Sequence, residues 1–150
     1  MQDLPHRYVV TASAAGAENV VLCSDGIPDL ETAGPPQFGG PGDVWSPETL
    51  LVGAVSDCFV LSFRAIARKA GLDWIALTAT ADGTLDKVDG CSRFTSLAVR
   101  ARLTIPPGTS ESKAAAIMQK AEKYCLITNS LKAESTLETS VRVEDVAAKV

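Results

Sequence analysis

The sequence has little positive charge in its first half. No lysine or arginine occurs between Tyr8 and Phe63, while seven acidic residues fall in that stretch. The net charge of the whole chain is −4, and no basic run stands out. This charge distribution argues against nucleic acid or an anionic membrane as a partner.

Two targeting features are also missing. No apolar run reaches membrane-spanning length, and the N-terminus lacks the charged and then apolar pattern of a signal peptide. We therefore expect a cytoplasmic protein without a membrane partner, in which the four cysteines are thiols or a redox pair rather than structural disulfides. At 150 residues, the chain predicts one domain, 1–150, with room for a proper core.

Motifs for metals and cofactors are scarce. His6 is the only histidine and lies near one end, so a Cys–His or Ser–His dyad is disfavoured. Cys23 and Cys91 lack CxxC spacing, which gives little support to a zinc site. The glycines at 39–42 lack the lysine of a phosphate-binding loop. We expect neither a metal nor a cofactor.

The stretch 46–59 predicts the start of a long helix. Ser46 suits the N-cap, Pro47 suits the first helical position, and Glu48 places a negative charge at the positive end of the helix dipole. The helix is expected to run to about residue 70, with Gly71 as its left-handed stop.

An apolar stripe with helical spacing runs along this helix and includes Cys58, which is therefore expected to face inward. The stripe consists of Leu51, Ala54, Val55, Cys58, Leu61, Ser62 and Ala65. A helix that is apolar over much of its circumference needs cover on several sides, so we expect a homodimer with these helices inside.

The remaining pattern is one of strands and one further helix. Ser110 is expected to cap the second helix, and Cys125 lies just past its end. Segregated strands and helices predict an α+β fold with antiparallel sheet, packed around the long helix. The predicted strands span 7–13, 18–23, 27–31, 74–84, 95–105 and 136–143, and the second helix spans 110–123.

Cys58 and Cys125 are the main candidates for chemistry. A thiolate is a strong nucleophile, and a second thiol can resolve a sulfenic acid into a disulfide if the two Cα atoms come within roughly 7 Å. Spacing alone favours the plainer interpretation that both cysteines are small buried hydrophobic residues. Glu48 is either a first-turn charge or an orienting acceptor in a thiol site.

Family resemblance adds to this interpretation. Ser-Pro-Glu-Thr-Leu-Leu at 46–51, followed by Cys58-Phe59, resembles the OsmC/Ohr family, named for osmotically inducible protein C and the organic hydroperoxide resistance proteins. The glycine-rich loop 38–42 and the segment 121–131 around Cys125 are similar to the same family. The likeness spans most of the chain, from residue 8 to residue 145.

The resemblance implies an OsmC-like α+β fold in an intertwined homodimer, with each active site built from both subunits. Cys58 is implied as the peroxidatic thiol, Cys125 as the resolving thiol, and Glu48 as the residue that orients an activating arginine. The implied reaction reduces organic hydroperoxides to alcohols, with a small dithiol or lipoyl protein as reductant.

The chain also departs from the family. Residues 14–19 have no arginine where the Ohr branch usually has Gly-Gly-Arg, and Leu126 and Thr128 replace the usual proline and serine after the second cysteine. The possible substitutes for the arginine are Arg7, Arg64 and Arg93. The missing arginine keeps open a second hypothesis, a small-molecule binding protein on the same fold. A purely structural module is a third, and it leaves the Glu48, Cys58 and Cys125 set unexplained.

Overall fold

A computed structural model describes residues 3–145 of the chain. The chain divides into two compact units, Met1–Leu51 and Val52–Val150. The first unit contains an antiparallel meander of β1 (Thr11–Ser13), β2 (Val20–Cys23) and β3 (Leu30–Thr32), in the order β1-β2-β3. A short 3-10 helix, Pro36–Phe38, follows β3.

The long helix α1 spans Pro47–Ala70, as the sequence predicts. At its start, the Ser46 hydroxyl accepts a hydrogen bond from the Thr49 N–H (3.1 Å), and the Ser46 N–H donates to the Thr49 hydroxyl (2.8 Å). This reciprocal cap satisfies donors that the first turn leaves free. At its end, Gly71 has a φ of 58°, and the Leu72 N–H donates to the Ala67 carbonyl (3.0 Å), which together form the expected glycine stop.

The second unit contains a three-stranded sheet and two helices. The strands are β4 (Ala76–Val88), β5 (Cys91–Ile105) and β6 (Glu134–Val143), in the order β4-β5-β6. Helix α2 (Glu111–Lys123) and the short helix α3 (Leu126–Asn129) connect β5 to β6. The predicted α+β class, with two sheets and helices, is confirmed.

One pairing differs from the predicted antiparallel sheet. β4 and β5 form an antiparallel hairpin, but β5 and β6 are parallel. The reason is the connection: the chain leaves the end of β5, crosses back through α2 and α3, and enters β6 in the same direction as β5.

The apolar core of the second unit lies between α1, α2 and β5. β5 contributes Leu97, Val99, Ala101, Leu103 and Ile105 in strict alternation, and α2 contributes Ala114, Ile117, Met118 and Ala121. The buried residues recur at every second position in the strand and at every third or fourth position in the helix, as one face of each element requires. Ser110 caps α2 as expected, because its hydroxyl accepts from the Lys113 N–H (3.2 Å).

The inward face of α1 differs from the prediction. The buried residues are Val55, Phe59, Phe63 and Ala67. Of the predicted stripe, Val55 is buried and Cys58 half-buried, whereas Leu61 is 50% exposed. The buried face takes the two phenylalanines because they fill more core volume than the small residues beside Cys58, and Phe63 packs edge-on against Trp74 with ring centroids 5.4 Å apart.

Helix α1 is also unusually apolar for its exposure. It is long and apolar enough to cross a membrane by length and composition, with a mean hydropathy of 1.8, and 22% of that stretch is buried. This differs from the expectation that no run reaches such length. The core helix of a soluble protein meets the same test, and the two buried phenylalanines of α1 belong to such a core.

Candidate thiol site

Cys125 lies at the turn between α2 and α3. Its N–H donates to the Glu122 carbonyl (3.1 Å), and its own backbone is extended (φ −65°, ψ 110°) as it becomes the N-cap residue of α3. The side chain is completely buried. The turn therefore fixes the backbone of Cys125, whose sulfur is out of contact with water.

Thr128 is a polar neighbour of Cys125. It lies three positions after this N-cap, is 8% exposed, and its hydroxyl donates to the Cys125 carbonyl (3.1 Å). Sequence analysis identified Thr128 only as a replacement for serine. A threonine hydroxyl that donates to the carbonyl three residues earlier is a common local side-chain to backbone contact, and a threonine three residues after Cys125 was the available signal.

The pKa of Cys125 shows what surrounds its sulfur. Burial raises the pKa of this thiol above its ordinary value, the hydroxyl and backbone N–H of Thr128 lower it, and hydrogen bonding and charge from Cys58 raise it again. The net direction is upward. Cys58 and Cys125 are therefore neighbours in the second unit. Two thiols must be neighbours to form a disulfide with each other.

Cys58 supplies the more accessible of the two thiols. It lies in the middle of α1 and is half-buried, next to the fully buried Phe59. Its position away from the helix N-terminus means that the helix dipole contributes little to its chemistry. A thiolate at this position depends on side chains around it.

Glu48 belongs to the first compact unit, in the first turn of α1. Its Oε2 is buried and has no hydrogen-bond partner within the described part of the chain. A buried carboxylate oxygen without a donor is costly, so this atom is suited to a cationic donor. The role of Glu48 in a thiol site stays a prediction.

The other two cysteines have different surroundings. Cys23, in β2, is half-buried, and hydrogen bonding to Asp29 raises the pKa of its thiol, with smaller contributions from burial and from the Asp29 charge. Cys91 is exposed at the start of β5. Within residues 3–145, no cluster of three or more His, Cys, Asp or Glu side chains could hold a metal ion.

The outward side of α1 carries a concave surface. A cavity of about 400 Å³ is lined by Leu61, Arg64, Ala65, Arg68 and Trp74. Apolar side chains and two guanidinium groups therefore share one recess near the C-terminal half of α1. Its size lies within the range of small-molecule sites.

Known proteins similar to this chain share its fold. The OsmC-like protein family profile matches residues 40–140. Peroxiredoxin OsmC of Escherichia coli K12 is 33% identical over 97 residues, which cover 65% of this chain and 67% of that protein.

Solved structures give the same result. An OsmC-like protein of unknown function from Vibrio cholerae has a TM-score of 0.83 at 21% identity, covering 91% of this chain and all of that one. An organic hydroperoxide resistance protein OsmC from Legionella pneumophila has a TM-score of 0.69 at 26% identity, covering 93% and 100%. The family profile covers well over half of the sequence, and the chain belongs to the OsmC-like protein family.

Proposed function

We propose that this protein is a thiol peroxidase that reduces organic hydroperoxides through Cys58 and Cys125. The observation that carries the proposal is the pairing of a half-buried Cys58 with a fully buried Cys125, whose thiol Cys58 influences through a hydrogen bond and through charge. Its membership of a family that includes a peroxiredoxin supports a redox role. We place the protein in the cytoplasm, where such thiols stay reduced.

The reaction follows from the chemistry of two thiols. The Cys58 thiolate attacks the terminal oxygen of ROOH, the O–O bond breaks, and the alcohol ROH leaves after taking a proton. Cys58 is then a sulfenic acid. The Cys125 sulfur attacks the Cys58 sulfur, the hydroxyl leaves as water, and a Cys58–Cys125 disulfide forms. A small dithiol or lipoyl protein reduces this disulfide and completes the cycle.

We infer that Glu48 orients the cation that this cycle needs. Its Oε2 has no donor within the described chain, and no lysine or arginine lies between Tyr8 and Phe63. The donor is therefore expected from a second copy of the chain. The partner's arginine would hold the peroxide and stabilise the negative charge that develops as the O–O bond breaks.

A homodimer also accounts for the outward face of α1. Ala54, Leu61 and Ala65 are exposed on this apolar helix, and Leu61 keeps 50% of its surface in contact with water. Burying such a surface against a second copy is favourable. Light scattering on the purified protein should give a mass about twice that of the 15.7 kDa chain. The Leu61→Arg variant should have a lower mass, closer to that of a single chain. A monomeric wild-type protein would contradict the dimer.

The activity is tested by hydroperoxide consumption with a dithiol donor. Turnover should disappear in Cys58→Ser and persist in Cys23→Ser, which removes a thiol that does not act on Cys125. Equal rates in the two variants would contradict the proposal.

The recess along α1 favours one alternative function. Its apolar lining and the two arginines, Arg64 and Arg68, suit a small amphipathic ligand. In that case the protein binds such a ligand without turning over peroxide, and the wild type would consume no more hydroperoxide than Cys58→Ser does.

A further inference from the structure

The two sulfurs of the candidate site differ in access and in hydrogen bonding. Cys58 is half-buried, so a dissolved thiol can approach its sulfur, whereas Cys125 is completely buried. In the reduction of a disulfide, one sulfur is attacked and the other leaves as a thiolate. The difference in burial favours attack on Cys58, with Cys125 as the leaving group.

A thiolate that leaves into a buried position needs a donor, because desolvation penalises the charge. Among the described residues, Thr128 is the one whose groups favour the charged form of Cys125. Its hydroxyl is almost fully buried and donates to the carbonyl of the same cysteine. The same hydroxyl can donate to the sulfur instead, and this is the interaction by which the Thr128 side chain lowers the pKa of the Cys125 thiol.

We propose that Thr128 is a positioning residue that stabilises Cys125 as the leaving thiolate and so directs the reductant to Cys58. This inference rests on the proposed function for its redox pair. It adds the direction in which the disulfide opens and the residue that sets it.

The step balances in atoms and electrons. A dithiol reductant, as its thiolate, attacks the Cys58 sulfur and forms a mixed disulfide. The Cys58–Cys125 bond breaks, and its electron pair stays on Cys125, which then takes a proton from water. The second thiolate of the reductant displaces the Cys58 sulfur, the reductant leaves as a cyclic disulfide, and Cys58 is released as a thiolate.

The first test maps the mixed disulfide in the wild-type protein. The protein is oxidised with diamide, a two-electron oxidant of thiols, so that peroxide turnover is not required. It is then treated briefly with a monothiol, such as 2-mercaptoethanol, and alkylated for mass spectrometry. The monothiol should be found on Cys58 and the alkyl group on Cys125. The reverse arrangement, an even mixture, or no Cys58–Cys125 disulfide after diamide would overturn the inference.

The second test removes the hydroxyl of Thr128. In diamide-oxidised Thr128→Val, reduction by dithiothreitol should slow roughly three- to tenfold, because the leaving thiolate loses its donor. In a Cys58→Ser background, the same change should raise the pKa of Cys125, measured by the ultraviolet absorbance of the thiolate. Thr128→Ser keeps the hydroxyl and should restore both values.

Ser130→Ala is the matched control. Ser130 also lies at α3 and its hydroxyl also donates to a backbone carbonyl, that of Leu126 (2.8 Å). The Ser130→Ala variant should have the wild-type reduction rate and the wild-type pKa of Cys125. A wild-type rate in Thr128→Val, or an equal loss in Thr128→Ser, would overturn the role of Thr128. A protein that forms the disulfide with diamide but not with hydroperoxide would count against the proposed function alone.

Discussion

The two compact units differ in what they bury and in the charge that they carry. The second unit buries a cluster of fourteen apolar residues, whereas the residues that the structure describes in the first unit bury only Thr32 and Ser46. The first unit has seven acidic residues and one arginine, a net charge of −6, and the second has eleven acidic and thirteen basic residues, a net charge of +2. Folding energy therefore comes mainly from the second unit.

The same contrast separates the two cysteines whose pKa values are raised. In Cys125, of the second unit, burial is the main cause, and a neighbouring thiol and Thr128 act on the sulfur. In Cys23, of the first unit, the main cause is a hydrogen bond to one carboxylate, Asp29, and burial contributes less. A raised pKa alone therefore does not identify a working thiol, and the groups that raise it must be named.

Of the substitutions that test this comparison, Cys125→Ser should have the largest effect, a loss of peroxide turnover. In Cys125→Ser, one equivalent of organic hydroperoxide should leave Cys58 as a sulfenic acid, because no second thiol can resolve it. Trapping with dimedone and mass spectrometry should find the adduct on Cys58, and turnover with a dithiol should fall at least about tenfold. Cys91→Ser, which removes an exposed thiol, should keep the wild-type rate. The absence of an adduct on Cys58 would contradict the view that Cys58 and Cys125 form the redox pair and that the other two cysteines do not take part.

A core truncation tests the difference in burial. Phe59→Ala removes a fully buried ring from the second unit and should lower the free energy of unfolding by about 3–5 kcal/mol. Val21→Ala, in the half-buried strand β2 of the first unit, should cost less than about 1.5 kcal/mol. Urea unfolding of both variants measures these costs. Similar losses in the two variants would contradict a single core in the second unit.

The smallest effect concerns the pKa of Cys23. Asp29→Asn removes the charged acceptor that raises it, so the pKa of Cys23 should fall and more thiolate should be present at a given pH. Alkylation of Cys23 near pH 8 should then become roughly two- to fivefold faster. Asp25→Asn is the control, because it removes the same charge from a residue that does not act on Cys23. Equal rates in both variants would mean that the thiol does not interact with Asp29.

Much of the local structure could be predicted from the sequence. The caps of α1 and α2, the glycine stop at Gly71 and the alternation along β5 depend on residues close in sequence, and each lies where its pattern predicts. The parallel pairing of β5 with β6 depends on a crossover connection, which no local pattern of β6 reveals.

The site was predicted less completely. α1 has apolar residues on more than one side, so periodicity could not show that Phe59 and Phe63 face the core of the same chain while Leu61 faces outward. The motifs indicated Cys58 and Cys125. The contact of the Thr128 hydroxyl with the Cys125 carbonyl could not be predicted, because it depends on the turn at the start of α3.

The most direct test of the account is the state of the cysteines after one equivalent of organic hydroperoxide. The wild-type protein would be treated with cumene hydroperoxide, quenched in acid, alkylated, and digested for mass spectrometry without reduction. The account predicts one intramolecular disulfide between Cys58 and Cys125, with Cys23 and Cys91 alkylated. Four alkylated cysteines, or a disulfide that includes Cys23 or Cys91, would contradict it.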